Sequence, residues 1–371
     1  MVNHLGNWRN GEFGNFITLK RGFDLPQQKR EDGQVPIFSS SGITGTHSTA
    51  MVNAPGVITG RYGTIGEVFY AAEDFWPLNT TLFVEDFHGN DAKFIYYFLK
   101  TLEWSKFTSA SAVPGINRNT VHKETVSLPD IETQRRIAST LSMLDEKIKT
   151  NTEINDNLYA QAKAIFDNHF INIDAIPAGW RKGNLLDIAN YLNGLAMQKF
   201  RPQGNEIGLP VLKIKELRQG SCDDSSELCS LRIKPEYIIH DGDVIFSWSG
   251  SLLVDIWCGG TCGLNQHLFK VTSDIYDKWF YYLWTAHHLA RFIAIAADKA
   301  TTMGHIKREE LAKAEVLIPC EEDYTSLTSI MQPIFELIIS NRIEARKLAA
   351  LRDELLPKLM SGEIDVSAIQ L

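Results

Sequence analysis

The segment IASTLSMLDEKIKTNTEINDNLYAQAKAI (residues 137–165) decides the fold, because mostly apolar residues recur in it at alternating steps of four and three. A second segment, LTSIMQPIFELIISNRIEARKLAALRDEL (327–355), repeats this spacing 190 residues later. The alternation is the heptad pattern of coiled-coil helices. The stripe positions are Ile137, Leu141, Leu144, Ile148, Asn151, Asn155, Leu158, Ala162 and Ile165, then Leu327, Met331, Ile334, Ile338, Asn341, Ala345, Leu348, Arg352 and Leu355. We therefore expect two long helices of roughly 36 residues each that pack against one another.

The two stripes carry an asparagine at the equivalent positions 151 and 341. A polar residue in such a stripe fixes the register when it finds a partner. Antiparallel packing would bring the midpoints of the helices together, which predicts that Asn151 lies close to Asn341. Periodicity alone also allows a parallel pair, or two amphipathic helices on separate cores. Pro333 predicts a kink or a restart in the second helix.

The helices belong to a longer internal repeat. WRNG (8–11) matches WRKG (180–183), LNTTLF (78–83) matches LNQHLF (264–269), and VSLPD (126–130) matches VLIPC (316–320). The tail SGEIDV (361–366) resembles INIDAI (171–176), so the repeat is circular, with the end of the chain completing the first copy. The predicted order is domain 1 (1–130), a long helix (131–172), domain 2 (173–320), and a second long helix with its tail (321–371).

Each predicted domain consists of short alternating apolar runs broken by turn residues, such as 56–70 and 242–257, followed by short helical stretches. The expected fold class is α+β. Two pseudo-repeated mixed α/β domains are separated by two long antiparallel coiled-coil helices, with pseudo-two-fold, circular symmetry. No phosphate-binding loop, nucleophile elbow, methyltransferase tetrapeptide or convincing nuclease motif occurs in the sequence. Catalytic residues and a metal site are therefore not expected.

Composition narrows the class of protein. The chain has 371 residues, of which 44% are hydrophobic and 22% are charged, and this is typical of a globular protein with two or more domains. It has no apolar run long enough for a membrane span, and its first residues lack a signal-peptide pattern, so we expect a cytoplasmic protein. Its five cysteines suit free thiols better than a disulfide framework.

The net charge of −8 argues, by itself, against binding to nucleic acid. Half of this charge lies in residues 321–371, which contain 5 Lys and Arg against 9 Asp and Glu. The two predicted domains are close to neutral, so basic side chains would have to cluster there to bind phosphate.

The repeat resembles the specificity subunit of type I restriction–modification systems. SLPDIETQRRIASTLSMLDEKIKTN (127–151) with INDNLYAQAKAIFDNHF (154–170) is similar to the central conserved region of this family. NRIEARKLAALRDELLPKLMSGEIDV (341–366) is similar to its C-terminal conserved region. GRYGTIG (60–66), SWSGSLL (247–253) and LNQHLFKV (264–271) resemble turn segments of its target-recognition domains.

The resemblance implies a non-catalytic protein that specifies where a larger complex acts on DNA. Each target-recognition domain would bind one half of a split sequence in double-stranded DNA. The helix pair would set the spacing and dock two methyltransferase subunits, which methylate adenine N6 with S-adenosylmethionine. Restriction subunits would join with ATP and Mg, whereas this chain would bind no cofactor. Arg135, Arg136 and Lys147 are candidate contacts to the methyltransferase helices.

The candidate DNA contacts are basic, small polar or aromatic residues in loops. They are Ser39, Ser40, Ser41, Arg61, Tyr62, Lys106, Ser109, Asn117 and Arg118 in domain 1, and Lys199, Arg201, Lys213, Lys215, Ser247, Trp248, Ser249, Lys299, Thr301, Thr302, His305, Lys307 and Arg308 in domain 2. The alternative roles are an exposed salt bridge for Arg61, ordinary turn chemistry for the serines and a core position for Trp248. Asn79 and Asn265 align in the repeat and are expected to form a shared structural turn.

Two other functions fit the sequence less well. The chain could be a structural coiled-coil scaffold without DNA selectivity, or a methyltransferase or nuclease fusion that lacks the standard motifs.

Overall fold

The computed structural model describes residues 8–108, 114–298 and 306–367. The chain forms two compact units. Unit 1 comprises Met1–Glu146 with Ala349–Leu371, and unit 2 comprises Lys147–Leu348. The boundary between the units therefore falls inside both long helices rather than at their ends.

Among its described residues, domain 1 contains nine short strands and two short α-helices, and the first long helix follows it. The strands are β1 (Arg9–Glu12), β2 (Thr18–Arg21), β3 (Val35–Ser39), β4 (Gly42–His47), β5 (Gly56–Gly60), β6 (Val68–Ala71), β7 (Trp76–Pro77), β8 (Thr81–Asp86) and β9 (Thr125–Leu128). The helices are α1 (Ala92–Thr101), α2 (Arg118–His122) and α3 (Ile131–Phe166). Their sheets have the orders β1–β9, β2–β8–β5–β6 and β4–β3–β7.

Unit 2 repeats this plan with ten strands. They are β10 (Arg181–Asn184), β11 (Asn190–Asn193), β12 (Leu209–Leu212), β13 (Leu228–Cys229), β14 (Ile238–Ile239), β15 (Val244–Ser247), β16 (Leu253–Ile256), β17 (Cys262–Leu264), β18 (Leu268–Thr272) and β19 (Glu315–Ile318). The helices are α4 (Leu185–Ile188), α5 (Ile214–Gln219), α6 (Lys278–Asp298), α7 (Arg308–Ala312) and α8 (Glu321–Met360). The sheets have the orders β10–β19, β11–β18–β15–β16 and β13–β12–β17–β14.

The strand pairs that open and close each domain have the same register. β1 pairs antiparallel with β9, with Arg9 opposite Leu128. β10 pairs in the same way with β19, with Arg181 opposite Ile318. The repeat predicted from WRNG and WRKG is therefore a repeat of structure.

The turns predicted at Asn79 and Asn265 are also repeated. A Cβ atom added to Gly22 would lie 2.1 Å from the carbonyl oxygen of Leu78, and one added to Gly194 would lie 2.2 Å from that of Asn265. Only glycine fits where two backbones approach so closely. The turn is therefore common to the two domains, but Leu78, rather than Asn79, is the structural counterpart of Asn265: the Thr81 N–H donates to the Leu78 carbonyl at 2.9 Å, and the Leu268 N–H donates to the Asn265 carbonyl at 3.0 Å.

The cores explain why the chain closes on itself. In unit 1, Leu359, Met360 and Val366 are buried in the same cluster as the strands and helices of domain 1. In unit 2, Phe166 and Phe170, at the end of the first long helix, are buried with domain 2. The circular repeat predicted from the tail is thus seen in the packing of unit 1.

The first long helix starts at a side-chain cap and a buried amide. The Asp130 carboxylate accepts a hydrogen bond from the backbone N–H of Thr133 at 2.9 Å, as an N-terminal cap does. Gln134 is buried; its side chain accepts from the Asp91 N–H at 2.9 Å and donates to Asn90 Oδ1 at 2.8 Å. These bonds fix the helix against the start of α1.

Both long helices have about the predicted length, with 36 residues in α3 and 40 in α8. The restart expected at Pro333 does not occur, because α8 is continuous from Glu321 to Met360. Proline removes one main-chain hydrogen bond. Met331 and Phe335, which are buried on either side of it, hold the helix in the core of unit 2.

The two helices are antiparallel. In unit 2, Asn341 Nδ2 donates to Asn155 Oδ1 at 3.0 Å, and Asn151 Nδ2 donates to Glu344 Oε2 at 2.7 Å. Residue numbers therefore fall on one helix as they rise on the other. Asn341 bonds Asn155 rather than Asn151, which lies four residues, or about one turn, earlier on α3. Sequence periodicity fixes which residues face the partner helix but not their offset along it.

Candidate nucleic-acid interface

A basic cleft of 440 Å³ opens in unit 1 where three elements meet. The end of β2, the loop that follows β5 and the start of α2 form its walls. It is lined by Arg21, Arg61, Tyr62, Leu82, Gly115, Ile116, Asn117, Arg118 and Asn119. Four of the predicted contacts, Arg61, Tyr62, Asn117 and Arg118, thus lie together. With three guanidinium groups and no acidic residue in its lining, the cleft is suited to a phosphate group or an acceptor-rich base edge.

Backbone hydrogen bonds hold the Arg61–Tyr62 segment. The Arg61 N–H donates to the carbonyl oxygen of Thr80 at 2.9 Å, and the Arg61 carbonyl accepts from the N–H of Ile116 at 3.0 Å. The Arg61 guanidinium lies 4.5 Å from the centre of the Tyr62 ring. A cation over a ring face is stabilised by the ring quadrupole. The ring therefore orients the guanidinium that a DNA contact would use.

Gly115 makes room for that ring. A Cβ atom at this position would lie 2.2 Å from Cε1 of Tyr62. Tyr62 and Gly115 also form an isolated antiparallel bridge. The glycine is thus required by the close approach of the Tyr62 side chain.

Helix α2 is fixed to β2 by a neutral histidine. The Leu19 N–H donates to His122 Nε2 at 2.9 Å, so this nitrogen carries no proton. Burial, and then the charges of Arg118 and His88, lower the pKa of His122 below its usual value and favour this state. The Asn117 side chain caps the helix by accepting from the Asn119 N–H at 3.0 Å. Asn117 therefore has a structural role in addition to its place in the cleft.

Sequence reasoning missed Arg21. It ends β2, and its guanidinium is 3.8 Å from the Asp24 carboxylate in a largely exposed pair. Exposed pairs of this kind contribute little stability. A strand-end arginine has no local signature, and only the three-dimensional arrangement places it beside Arg61 and Arg118.

The other described candidates of domain 1 lie outside the cleft lining. Ser39 and Ser41 bond each other within the β3–β4 turn at 3.0 Å, which is the turn chemistry named as their alternative. Ser40 borders the same loop as Arg61, since its Cβ would lie 3.1 Å from a Cβ on Gly60. Lys106 pairs with Glu103 at 2.6 Å in an exposed ion pair. Ser109 lies outside the described residues.

In unit 2, Trp248 occupies the place that Arg61 has in unit 1. The Trp248 carbonyl accepts from the Ile306 N–H at 3.1 Å, just as the Arg61 carbonyl accepts from Ile116. The Trp248 indole N–H donates to Asn193 Oδ1 at 3.1 Å, and its half-buried ring packs on the edge of the core. The framework is shared by the two domains, whereas the side chains placed on it differ.

Two serines next to Trp248 have buried hydroxyls. Ser247 is fully buried, and its hydroxyl donates to the carbonyl oxygen of Ser251 at 2.9 Å. Ser249 is buried, and its hydroxyl bonds His267 Nδ1 at 2.9 Å. These hydroxyls shape the loop that bears Trp248, and a direct DNA contact by either serine stays a prediction. The alternation of apolar and polar residues along a short strand does not reveal that the following loop buries these serines.

Three basic candidates of domain 2, Arg201, Lys213 and Lys215, already have polar partners. Arg201 and Lys213 both bind the carboxylate of Glu227, and these contacts lower its pKa. Lys215 donates to Ser225 Oγ at 3.0 Å and lies 3.6 Å from Asp223. These residues are exposed, so the pairs can exchange for phosphate contacts at small cost.

The remaining candidates of domain 2 fall into two groups. Lys199, Lys307 and Arg308 are exposed, and the last two begin α7, the counterpart of α2. Lys299, Thr301, Thr302 and His305 lie outside the described residues.

The comparisons with known proteins agree with this repeated framework. The family model for the type I restriction modification DNA specificity domain matches the chain twice, at residues 6–160 and 177–351. Together these matches cover most of the 371 residues.

The chain belongs to the family of type I restriction–modification specificity subunits.

Curated members of the family resemble this specificity subunit along most of its length. The MjaIX specificity subunit of Methanocaldococcus jannaschii is 26% identical over 310 residues, which are 76% of this chain and 71% of the relative. The HindI specificity subunit of Haemophilus influenzae is 20% identical over 344 residues, covering 71% and 75%. The crystal structure of an S subunit from M. genitalium covers 97% of both chains with a TM-score of 0.63 at 16% identity, which shows the same fold.

All five cysteines are free thiols. Among the residues that the structure describes, no helix is long and apolar enough to cross a membrane, and no group of three or more metal-binding side chains is found.

Proposed function

We propose that this specificity subunit binds double-stranded DNA with a split recognition sequence, and that each domain contacts one half of it. The observation that carries the proposal is the exchange of Arg61 for Trp248 on one repeated backbone framework. Two copies of one scaffold with different side chains at the same point suit two different half-sites. An arginine can fork onto a guanine edge, whereas an indole offers a stacking face.

Charge supports the cleft of unit 1 as the first contact surface. The chain carries a net charge of −8, yet Arg21, Arg61 and Arg118 converge on one opening. Such a local cluster can bind phosphate in a domain that is neutral overall. Weak overall attraction to DNA also indicates that the chain acts within a complex and borrows positive surface from its partners.

The helix pair is the proposed spacer and docking surface. Large apolar side chains are exposed on both long helices, among them Met143 and Ile154 on α3 and Ile330 and Leu337 on α8. We propose that they receive two methyltransferase subunits, which methylate adenine N6 with S-adenosylmethionine. Restriction subunits would add ATP- and Mg-dependent cleavage in the cytoplasm, while this chain binds no cofactor and performs no chemistry.

The first candidate contacts to those subunits are only partly available. Arg136 donates to the carbonyl oxygen of Ser367 at 2.8 Å, and Lys147 lies 3.4 Å from Glu344. Arg135 is exposed. We therefore propose Arg135 as the first of the three to test by substitution in a binding assay.

The test is to express the chain with its methyltransferase partner and to sequence methylated adenines with and without it. We expect one split motif to be methylated only when the chain is present. Replacing residues 1–130 by those of another specificity subunit should change one half of the motif. An unchanged methylation pattern would support a structural scaffold, and methylation or cleavage by the purified chain alone would support an enzyme.

A further inference from the structure

Helix α8 carries three arginines, Arg342, Arg346 and Arg352, and each of them binds an aspartate. One of these aspartates, Asp255, lies on a β-hairpin of domain 2, and another, Asp241, lies just before the same hairpin. The hairpin consists of β15 and β16, and the loop between them contains Trp248. The long helix thus contacts the element that presents the proposed DNA-binding loop.

Arg342 binds the middle of the hairpin. Its two terminal nitrogens donate to the two oxygens of Asp255, at 2.8 and 2.7 Å. Asp255 lies on β16, opposite Ile245 of β15. The two side chains are only 29% and 26% exposed. A partly buried bidentate pair of this kind fixes both distance and angle, which a single point contact does not.

Arg346, one helical turn further along α8, binds the base of the same hairpin. It donates to both oxygens of Asp241 at 2.7 and 2.8 Å, and to the carbonyl oxygen of Cys258 at 2.5 Å. Asp241 precedes β15, and Cys258 follows β16. Asp241 also accepts the N–H of Gly260 at 2.8 Å. One guanidinium therefore ties together the two ends of the hairpin.

We call the pairs Arg342–Asp255 and Arg346–Asp241 the clamp. Among the residues of domain 1 that the structure describes, the clamp has no counterpart. The residue of β6 that corresponds to Asp255 is Phe69, which lies opposite Ile58. On α3, the residues 190 positions before the two arginines are Thr152 and Asp156. The clamp is thus a property of domain 2 rather than of the repeat.

We propose that Arg342 and Arg346 are positioning residues that fix the angle of the β15–β16 hairpin on α8, and thereby the single gap between half-sites that the complex accepts. The inference rests on the proposed function, because it assumes that α8 is part of the spacer and that the hairpin loop contacts DNA. Without the clamp, the loop can pivot on the helix while its own side chains stay unchanged. The gap should then become less strictly defined, whereas the bases of the half-sites remain the same.

The experiment compares methylation of plasmids that carry the split motif with its natural gap or with one base pair added or removed. The variants are Arg342→Gln with Arg346→Gln, which removes the clamp, and Arg342→Lys with Arg346→Lys, which keeps the charge but loses the forked geometry. Lys347→Gln, which removes the charge of an exposed lysine on the same helix, is the matched control. Each variant is assayed as the full complex with its methyltransferase subunits.

We expect the ratio of methylation at altered gaps to methylation at the natural gap to rise roughly tenfold in the glutamine variant, equivalent to about 1.4 kcal/mol. The lysine variant should rise less, and the Lys347→Gln control should match the wild type. If the glutamine variant does not assemble, the lysine variant decides. If the deciding variant has the same ratio of methylation at altered gaps to methylation at the natural gap as the wild type, the inference is overturned. If the wild-type complex itself methylates no split motif, the proposed function has failed instead.

Discussion

At the scale of single residues, the cleft of unit 1 depends on a glycine. We expect Gly115→Ala to displace the Tyr62 ring, because the new Cβ would lie 2.2 Å from it. Overpacking of this kind costs about 1–3 kcal/mol. Thermal unfolding should show the lower stability, and methylation should fall at sites that carry the half-motif assigned to domain 1. Ser105→Ala, an exposed substitution on a neighbouring turn, is the control. Wild-type stability and methylation in Gly115→Ala would show that the ring is free to move.

The clamp makes a second prediction at this scale, which concerns pH. Burial raises the pKa of Asp241, but hydrogen bonds from Arg346 and from the Gly260 N–H outweigh it, so the pKa is lowered. A carboxylate with a lowered folded-state pKa stabilises the protein above its unfolded pKa of about 3.9, and this is lost as pH falls through the folded pKa. The melting-temperature difference between wild type and Asp241→Asn should be constant from about pH 7 to 5 and should shrink below about pH 4. If the melting-temperature difference stays constant below about pH 4, the Arg346–Asp241 ion pair is not its source.

Single residues also show where sequence reasoning stops. Arg61 and Tyr62 were identified because turn glycines surround them, and they do line the cleft. Arg21 was missed, and Ser247, which was named as a candidate DNA contact, is fully buried. Loop chemistry can be recognised locally. The convergence of Arg21 with Arg118, 97 positions apart, and the burial of Ser247 depend on tertiary packing, which no local pattern encodes.

At the scale of elements, the helix pair of unit 2 has a polar contact that we expect to set its register. Asn341 donates to Asn155 Oδ1 at 3.0 Å, and Asn155 in turn donates to the Ile338 carbonyl at 3.2 Å. Asn341→Leu alone leaves the Asn155 acceptor without this donor, which should cost about 1–3 kcal/mol. Chemical unfolding of the two single variants and of the double leucine variant measures the coupling. The double variant should recover stability, because two leucines pack well in a coiled-coil stripe.

The matched control for this double-mutant comparison is Thr152→Ala, an exposed position on α3, the helix that carries Asn155. Additive effects of the two single substitutions would mean that the asparagines act independently, contrary to our prediction.

The elements themselves were largely predictable from the sequence. The four-three spacing identified both long helices, and the short repeated segments identified strands that pair in the same register. The offset of the helices was not predictable, because shifting one helix by a turn replaces Asn151 by Asn155 and leaves the apolar stripe intact. Continuity through Pro333 was also missed, since it depends on the buried Met331 and Phe335 beside it.

At the scale of the whole molecule, the chain is one structural plan written twice and closed by its own end. The acidic second helix and tail hold half of the net charge, and the near-neutral domains hold the basic cleft. The repeat gives two domains with one backbone framework, and different side chains at equivalent points give each domain its own proposed contact surface. Domain 2 differs further, because only its hairpin is clamped to α8 by two arginines.

Closure by the tail makes a prediction for the entire chain. Val366 is buried in the core of unit 1, Ile364 packs against this core, and Ser367 accepts a hydrogen bond from Arg136. Deleting residues 361–371 should therefore destabilise domain 1, although 230 residues separate the tail from it, by about 1.5–3 kcal/mol for the valine alone. Hydrogen exchange followed by mass spectrometry should show faster exchange in β9 and unchanged exchange in β19, its counterpart in unit 2. Because β9 and β19 have the same pairing geometry, each serves as the control for the other. Equal protection of β9 with and without the tail would mean that domain 1 is complete without the end of the chain.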